Sequence, residues 1–227
     1  MLERRMIWVA EIGSAHQGNK SLAYELIRKA KWAGATVAKF QFGWTREAQE
    51  KYAGGYDERR YVDDWAEDLA RWCADLDIEL MASIWSLEGL EVARSVGMKR
   101  YKIAHQIQDE LLVKSILNDG KPVFWSSNSV VGTGEPTVTW VYSQDKYPAH
   151  ETGFDIRFYD DDNIPAYSSH MHGIADALIA VARGANYIEK HLTLDKTLDF
   201  PRDASFSLLP EEFRTMVDIG NEMARLR

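Results

Sequence analysis

Two segments of the same form decide the fold, each a short apolar run that ends in histidine. The first is Ile164-Pro165-Ala166-Tyr167-Ser168-Ser169-His170, which leads into an alanine-rich helical pattern, and the second is Asn186-Tyr187-Ile188-Glu189-Lys190-His191. A strand, a helix and a second strand in this order are typical of a βα unit with parallel strands. In such an architecture both histidines lie at the carboxyl ends of their strands, on the face where these folds place their chemistry.

Two imidazoles that converge on this face suggest a site for a divalent metal. Glu189 and Asp203 lie nearby in the sequence. Nitrogen and carboxylate ligands with positions left open for water or substrate suit a divalent metal. The alternative is that His170 and His191 are two unrelated polar strand ends, and their spacing does not decide between these readings.

The same alternation of apolar runs and helical patterns extends along the whole chain. Helical patterns follow the first, second, third, fourth, seventh and eighth apolar runs. Eight strands in this alternation predict a (β/α)8 TIM barrel, formed as a single domain by residues 1–227. The predicted strands are Met6–Ile12, Thr36–Phe42, Glu79–Ile84, Lys99–Ala104, Pro122–Ser126, Thr137–Ser143, Ile164–Ser168 and Asn186–His191.

Two connections are too short for an ordinary barrel of this kind. Ser127–Pro136, after the fifth strand, is brief and rich in glycine, and only a weak turn around Phe154–Tyr159 follows the sixth. A TIM barrel typically needs about 250 residues, and this chain has 227. We therefore expect a compact barrel in which the helices after strands five and six are missing or reduced.

The connection after strand two is instead unusually long. Thr45–Asp63, called the lid segment below, is charged and contains Gly54-Gly55. Loops of this length are often functional. We expect a mobile lid whose Arg59 and Arg60 meet the substrate, and the alternative is a solvated charged loop.

Composition excludes several classes of protein. The net charge of -8 argues against nucleic acid as a partner, because there is no basic surplus to neutralise phosphates. The single cysteine, Cys73, excludes an intrachain disulfide, and its helical surroundings predict a buried apolar filler. No apolar run approaches the about 18 residues of a membrane span. We expect a cytoplasmic protein without membrane contact.

Polar residues stand at the carboxyl ends of the other predicted strands. These are Glu11, Lys39, Gln41, Lys102 and Ser126. A lysine inside a strand is costly to bury without an anionic partner. The two lysines therefore predict a bound anion at the barrel mouth. An internal salt bridge from each lysine to Glu11 or Glu189 is the alternative.

Six motifs occur in an order and spacing that resemble one family. They are Ala10-Glu11-Ile12-Gly13, Val37-Ala38-Lys39-Phe40-Gln41, Tyr101-Lys102-Ile103-Ala104, Tyr147-Pro148, Glu189-Lys190-His191, and Asp203 with Ser207-Leu208-Leu209-Pro210. From about Trp8 to the C-terminus, the chain resembles the sialic acid synthase (N-acetylneuraminate synthase) family of phosphoenolpyruvate-condensing barrels.

The resemblance implies a reaction and a role for each matching residue. The reaction joins phosphoenolpyruvate to the aldehyde of an N-acylated amino sugar and releases phosphate and a nonulosonic acid. A divalent ion of the Mn²⁺ or Mg²⁺ type on His170 and His191 would polarise the aldehyde. Glu11, Glu189 and Asp203 match the catalytic acidic positions. The positions that hold phosphoenolpyruvate are matched by Lys39, Gln41, Lys102, Ser126 and Ser207.

The chain also departs from the family pattern. The family's Ser-Asp-His-Thr run has Ser169 in place of the aspartate, so a supporting carboxylate is expected to be missing. His105 replaces a serine, and Asp145 replaces an asparagine near the expected phosphate. We expect the protein to lack the antifreeze-like C-terminal domain of the family. These departures leave open a metal-dependent enzyme with a changed electrophile, or a non-catalytic phosphosugar or carboxylate binder.

Two further expectations concern the outside of the barrel. Alternation turns Trp125 and Trp140 outward where no covering helix is predicted, so we expect a homo-oligomer, specifically a dimer, packed through strands five and six. The alternative is that the C-terminal segment or Ala149–Asp162 folds back over them. His172 is expected to cap the helix that follows His170.

Overall fold

The computed structural model describes residues 6–128, 135–150 and 166–226. Eight parallel strands form a closed barrel in chain order, and the last strand pairs with the first. This confirms the predicted (β/α)8 TIM barrel. The strands are β1 Ile7–Glu11, β2 Val37–Phe42, β3 Glu79–Ile84, β4 Tyr101–Ile103, β5 Val123–Ser127, β6 Val138–Ser143, β7 Ala166–Ser169 and β8 Tyr187–His191.

Helices surround most of the barrel, and local capping explains where several begin. Asn19 starts the first helix by accepting hydrogen bonds from the backbone N–H groups of Ser21 and Leu22. The helices are α1 Lys20–Trp32, α2 Arg46–Ala53, α3 Ala66–Asp75, α4 Leu87–Ser95, α5 Glu110–Leu117, α6 Ala175–Ala182 and α7 Pro210–Arg225. Cys73 is buried on α3, as predicted.

No helix follows β5 or β6 within the residues that the structure describes, and the rest of both connections lies outside them. The described residues are 128 and 135–137 in the first connection and 144–150 in the second. The predicted turn around Phe154–Tyr159 lies outside the described residues. None of the described helices is both long and apolar enough to cross a membrane.

The barrel interior changes from apolar to polar along the strands. Phe124 and Tyr187 stack inside it with ring centroids 4.4 Å apart, in an apolar layer that also contains Val9 and Val37. Because inward positions recur every second residue, the next inward side chains on β1 and β2 are those of Glu11 and Lys39. The register also pairs Glu11 with Lys39 on one side and with His191 on the other. The charged residues are thereby placed at the carboxyl end of the barrel.

The lid segment is folded rather than an irregular loop. It contains α2, whose first turn is capped by Thr45, and a 3₁₀ turn at Glu58–Arg60. The guanidinium carbon of Arg59 lies 3.9 Å from the ring centroid of Phe200, and this contact joins the lid to the chain after β8. Mobility of the lid segment stays a prediction.

The outer face of β5 and β6 is less exposed than expected. Val123 is fully buried, Trp125, Val138 and Trp140 are half-buried, and the two indole rings stack with centroids 5.0 Å apart. Most of the possible covering loop, Ala149–Asp162, lies outside the described residues. The predicted dimer therefore stays a proposal.

Candidate active site

A cavity of about 270 Å³ opens at the carboxyl ends of the strands. Its position agrees with the active face of TIM barrels. Nine of the ten predicted site residues line it. These are Glu11, Lys39, Gln41, Lys102, Ser126, His170, Glu189, His191 and Asp203.

Ser207, the tenth, does not line this cavity. Its hydroxyl donates to the backbone carbonyl of Asp203 at 2.7 Å, so it supports the turn that carries that carboxylate. Of the altered positions, His105 lines the cavity, whereas Asp145 is exposed and outside its lining. The geometry therefore does not place the Asp145 carboxylate beside a ligand in this cavity.

Both buried lysines have carboxylate partners inside the barrel. Lys39 Nζ forms an ion pair with Glu11 and lies 3.5 Å from Glu189 Oε1, and Lys102 Nζ lies 3.6 Å from the same oxygen. Lys39 also donates to Ser83 Oγ at 3.0 Å. The internal salt bridges considered from the sequence are thus present, while both ammonium groups still line the cavity.

The two carboxylates in this cluster differ in their proton affinity. Burial raises the pKa of Glu11 to about 7, although the Lys39 charge opposes the rise. Burial would also raise the pKa of Glu189, but the charges of Lys102 and Lys39 outweigh it and lower that pKa well below its ordinary value. Glu189 is therefore a fixed anion, whereas Glu11 can exchange a proton near neutral pH.

The two lysines also differ in the direction in which their pKa values are shifted. Burial lowers the pKa of Lys102 to about 8. For Lys39, burial acts in the same direction, but the charges of Glu11 and Glu189 outweigh it and raise its pKa. Near neutral pH both lysines are cationic, and protonation of Glu11 leaves the four-residue cluster with a net positive charge. Such a cluster favours an anionic ligand.

The two histidines lie side by side, with ring centroids 5.5 Å apart. Burial lowers the pKa of each to about 3, so both imidazoles are neutral, which is the form that binds metals. Nδ1 of His170 lies 3.1 Å from the carbonyl oxygen of Gln144. A hydrogen bond from Nδ1 to this carbonyl leaves the lone pair of Nε2 available to a ligand.

These donors fit a divalent ion held by few protein ligands. Asp203 Oδ2 lies 3.8 Å from Nδ1 of His191. Within the described ranges, no group of three or more His, Cys, Asp or Glu side chains is arranged to hold a metal. Two neutral imidazoles at an open cavity suit an ion whose other positions are filled by water or substrate.

The outward side chains beside the histidines form a second buried cluster. Ser169 Oγ donates to Asp176 Oδ2, and Tyr167 donates to the same oxygen at 2.8 Å. Lys190 Nζ lies 3.6 Å from Asp176 Oδ1. Position 169 itself lacks a carboxylate, as the sequence shows, but Asp176 on α6 brings one into contact with Ser169.

Sequence reasoning also missed several side chains around the site. Tyr147 lies against His170 with ring centroids 3.9 Å apart, and Trp44 stacks on Trp85 at the same spacing. Tyr187 donates to Glu189 Oε2 at 2.6 Å. Alternation on β8 already places Tyr187 on the inward face with Glu189, so that signal was available. The stacked tryptophans follow two different strands, and no sequence pattern predicted their contact.

The expected helix cap at His172 was wrong. The residue that precedes α6 is Ile174, and no side chain caps this helix terminus. His172 is exposed and touches the edge of Phe206, with ring centroids 6.5 Å apart.

Structural comparison supports the fold assignment. The N-acetylneuraminic acid (sialic acid) synthetase of Leptospira borgpetersenii, crystallised with citrate, aligns with a TM-score of 0.83 at 24% identity, covering 98% of this chain and 85% of that one. A truncated 3-deoxy-D-arabino-heptulosonate 7-phosphate synthase of Thermotoga maritima gives 0.70 at 14% identity, covering 98% and 86%. At these identities the likeness concerns the fold.

Sequence comparison identifies the family. Human N-acetylneuraminate-9-phosphate synthase is 29% identical over an alignment of 243 positions that covers 92% of this chain and 67% of that protein. Pseudaminic acid synthase of Campylobacter jejuni is 25% identical over an alignment of 252 positions that covers 95% of this chain and 73% of that protein. The NeuB family pattern matches residues 26–144 and 158–226. Since this match spans well over half of the sequence and agrees with the ordered motifs, the chain belongs to the NeuB family.

Proposed function

We propose that this protein condenses phosphoenolpyruvate with the aldehyde of an N-acylated amino sugar to give a nonulosonic acid and phosphate. The observation that carries the proposal is the meeting of two lysines, two carboxylates and two neutral imidazoles in one cavity. Similarity to relatives named as synthases of N-acetylneuraminate 9-phosphate and pseudaminic acid supports the reaction class.

Lys39 and Lys102 are suited to bind the carboxylate and phosphate of phosphoenolpyruvate. Without a ligand their charges are balanced by Glu11 and Glu189. An incoming anion favours protonation of Glu11. Because the pKa of Glu11 is about 7, this protonation requires little free energy near neutral pH. The lysines then exchange one internal partner for the ligand. Gln41 and Ser126 line the same cavity and supply neutral hydrogen-bonding groups.

The chemical step forms a bond between C3 of phosphoenolpyruvate and the aldehyde carbon. The aldehyde oxygen takes a proton, and the positive charge that develops at C2 is quenched by water. Glu11, protonated when the anion binds, can donate that proton to the aldehyde oxygen and, once ionised, can accept a proton from the water. The resulting tetrahedral centre expels phosphate and becomes the keto group of the product. Glu189, fixed as an anion between the lysines, stabilises the positive charge at C2 electrostatically.

His170 and His191 would hold the divalent metal in this proposal. When bound, the metal supplies Lewis-acid polarisation of the sugar aldehyde. Asp203 lies on the cavity wall beside His191 and is placed to orient the hydroxyl groups of the sugar. Tyr147 packs against His170 and helps to exclude water from that side of the site.

The proposal is tested by phosphate release from phosphoenolpyruvate with a panel of aldehydes. The panel contains N-acylated amino sugars, the same sugars without the acyl group, and their phosphorylated forms, each with and without Mn²⁺. Release that needs both an N-acylated sugar and the metal supports the proposal. Turnover with only non-acylated aldehydes indicates a changed electrophile. Binding of phosphoenolpyruvate without any release contradicts the enzyme and favours a non-catalytic binder.

A further inference from the structure

The outward faces of β7 and β8 carry a buried polar cluster that the proposed reaction does not use. It consists of Tyr167, Ser169, Asp176 and Lys190, and lies between the barrel wall and α6. Lys190 and Asp176 are only 1% and 3% exposed. Burying one cation and one anion is costly unless each is closely paired. In most TIM barrels, by contrast, apolar side chains fill the space between the strands and the surrounding helices.

The hydrogen bonds of this cluster join β7, β8 and α6. Lys190 Nζ donates to Ser169 Oγ at 2.7 Å, across the register position where these two residues are paired. It also donates to the carbonyl oxygen of Met171 at 2.7 Å. Asp176 accepts from Ser169 and Tyr167 and balances the charge of Lys190. One carboxylate thus organises the whole cluster.

The cluster flanks both histidines along the chain. Ser169 and Met171 are the neighbours of His170, and Lys190 is the neighbour of His191. The backbone on both sides of His170 is therefore tied to the side chain that precedes His191. The two imidazoles come from different strands, so their separation depends on how these strands are held together.

We infer that Asp176 is a positioning residue, which sets the spacing of His170 and His191 from the far side of the barrel wall. This inference rests on the proposed function, because it assigns those histidines to a metal. Asp176 does not touch the cavity and acts only through Ser169 and Lys190. Since Ser169 Oγ lies 2.7 Å from Lys190 Nζ, a carboxylate at position 169 can take over the pairing with this lysine.

The test moves the carboxylate instead of only removing it. Asp176→Ala is compared with the double variant Ser169→Asp/Asp176→Ala, which restores one carboxylate beside Lys190 from the strand. Glu79→Ala is the matched control, because it removes a carboxylate that pairs with Arg100 Nε at 2.7 Å at the amino end of the barrel. If Asp176→Ala does not fold, Asp176→Asn, which keeps the shape but not the charge, replaces it.

Mn²⁺ affinity, measured from the free-ion signal in electron paramagnetic resonance, is the primary readout, and kcat and KM for phosphoenolpyruvate are the second. We expect Asp176→Ala to weaken Mn²⁺ binding about tenfold, in the range for outer groups that orient metal ligands, and to lower kcat more than it raises KM. The double variant regains most of the Mn²⁺ affinity, and Glu79→Ala keeps it.

Unchanged Mn²⁺ affinity in Asp176→Ala overturns the inference, as does a loss that the double variant fails to recover. An equal loss in Glu79→Ala also overturns it, because general destabilisation then accounts for the effect. If the wild-type protein itself binds no Mn²⁺, the metal in the proposed function fails and this inference fails with it. The wild-type measurement therefore separates the two failures.

Discussion

Replacement of Lys102 by methionine tests the anion site most sharply. The side chain is 3% exposed, donates to Ser126 Oγ at 2.5 Å and lies 3.6 Å from Glu189. Methionine fills a similar volume without the charge. Glu189 keeps Lys39 at 3.5 Å after the change, so the variant retains a counter-ion for the buried carboxylate and is expected to fold.

The expected loss follows from the hydrogen bond that the ligand forfeits. A charge-assisted hydrogen bond contributes about 1.5–3 kcal/mol, which corresponds to a roughly 10- to 150-fold weaker affinity for phosphoenolpyruvate. The pH dependence adds a second signature. Because burial lowers the pKa of Lys102 to about 8, the wild-type protein loses this charge, and with it affinity, as pH rises through 8. The variant has no such step.

Isothermal titration with phosphoenolpyruvate from pH 6.5 to pH 9 measures both effects. Lys121→Met is the control, because its ammonium group donates to the Met98 carbonyl at 2.7 Å outside the cavity lining. Unchanged affinity in Lys102→Met refutes the anion site and favours a purely internal salt bridge. A step near pH 8 that persists in the variant refutes the assignment of that titration to Lys102.

Four further predictions follow from the structure. His170→Ala and His191→Ala each lose stoichiometric metal by elemental analysis, and retention in either variant rejects the ligand assignment. Proteolysis within the lid segment is slowed by phosphoenolpyruvate, whereas cleavage that ignores ligand argues for a solvated loop. Trp140→Asp converts a dimer to monomer in sedimentation, and a wild-type monomer at high micromolar concentration excludes the interface. Burial raises the pKa of Asp63 to about 6, so protonated Asp63 contributes about 3 kcal/mol to the free energy of unfolding. This contribution is fully present below pH 4 and is lost as pH rises through 6. Asp63→Asn removes this pH-dependent step in stability, as measured by denaturant unfolding.

The sequence was sufficient for the barrel because each strand is a short apolar run between helical patterns. It was also sufficient to place Glu11, Lys39, His170 and His191 at the cavity, since every second residue near the carboxyl end of a barrel strand points into the barrel. Those positions follow from local periodicity alone.

The partners of these residues were not predictable in the same way. Pairing of Lys39 with Glu11 could be named only as an alternative to a bound anion, because it depends on the register between strands, which periodicity does not give. Asp176 was missed because it lies in a helical pattern, where an isolated aspartate usually faces solvent. The fold of the lid segment was missed because its eight-residue helix α2 is short and strongly charged.

The central claim is tested most directly by product analysis after incubation of the wild-type protein with phosphoenolpyruvate, Mn²⁺ and an N-acylated amino sugar. Mass spectrometry is expected to show a nonulosonic acid whose carbon skeleton is the sum of the sugar and pyruvate, in amounts equal to the phosphate released. Phosphate released together with free pyruvate, and without a condensed acid from any sugar of the panel, would contradict the condensation.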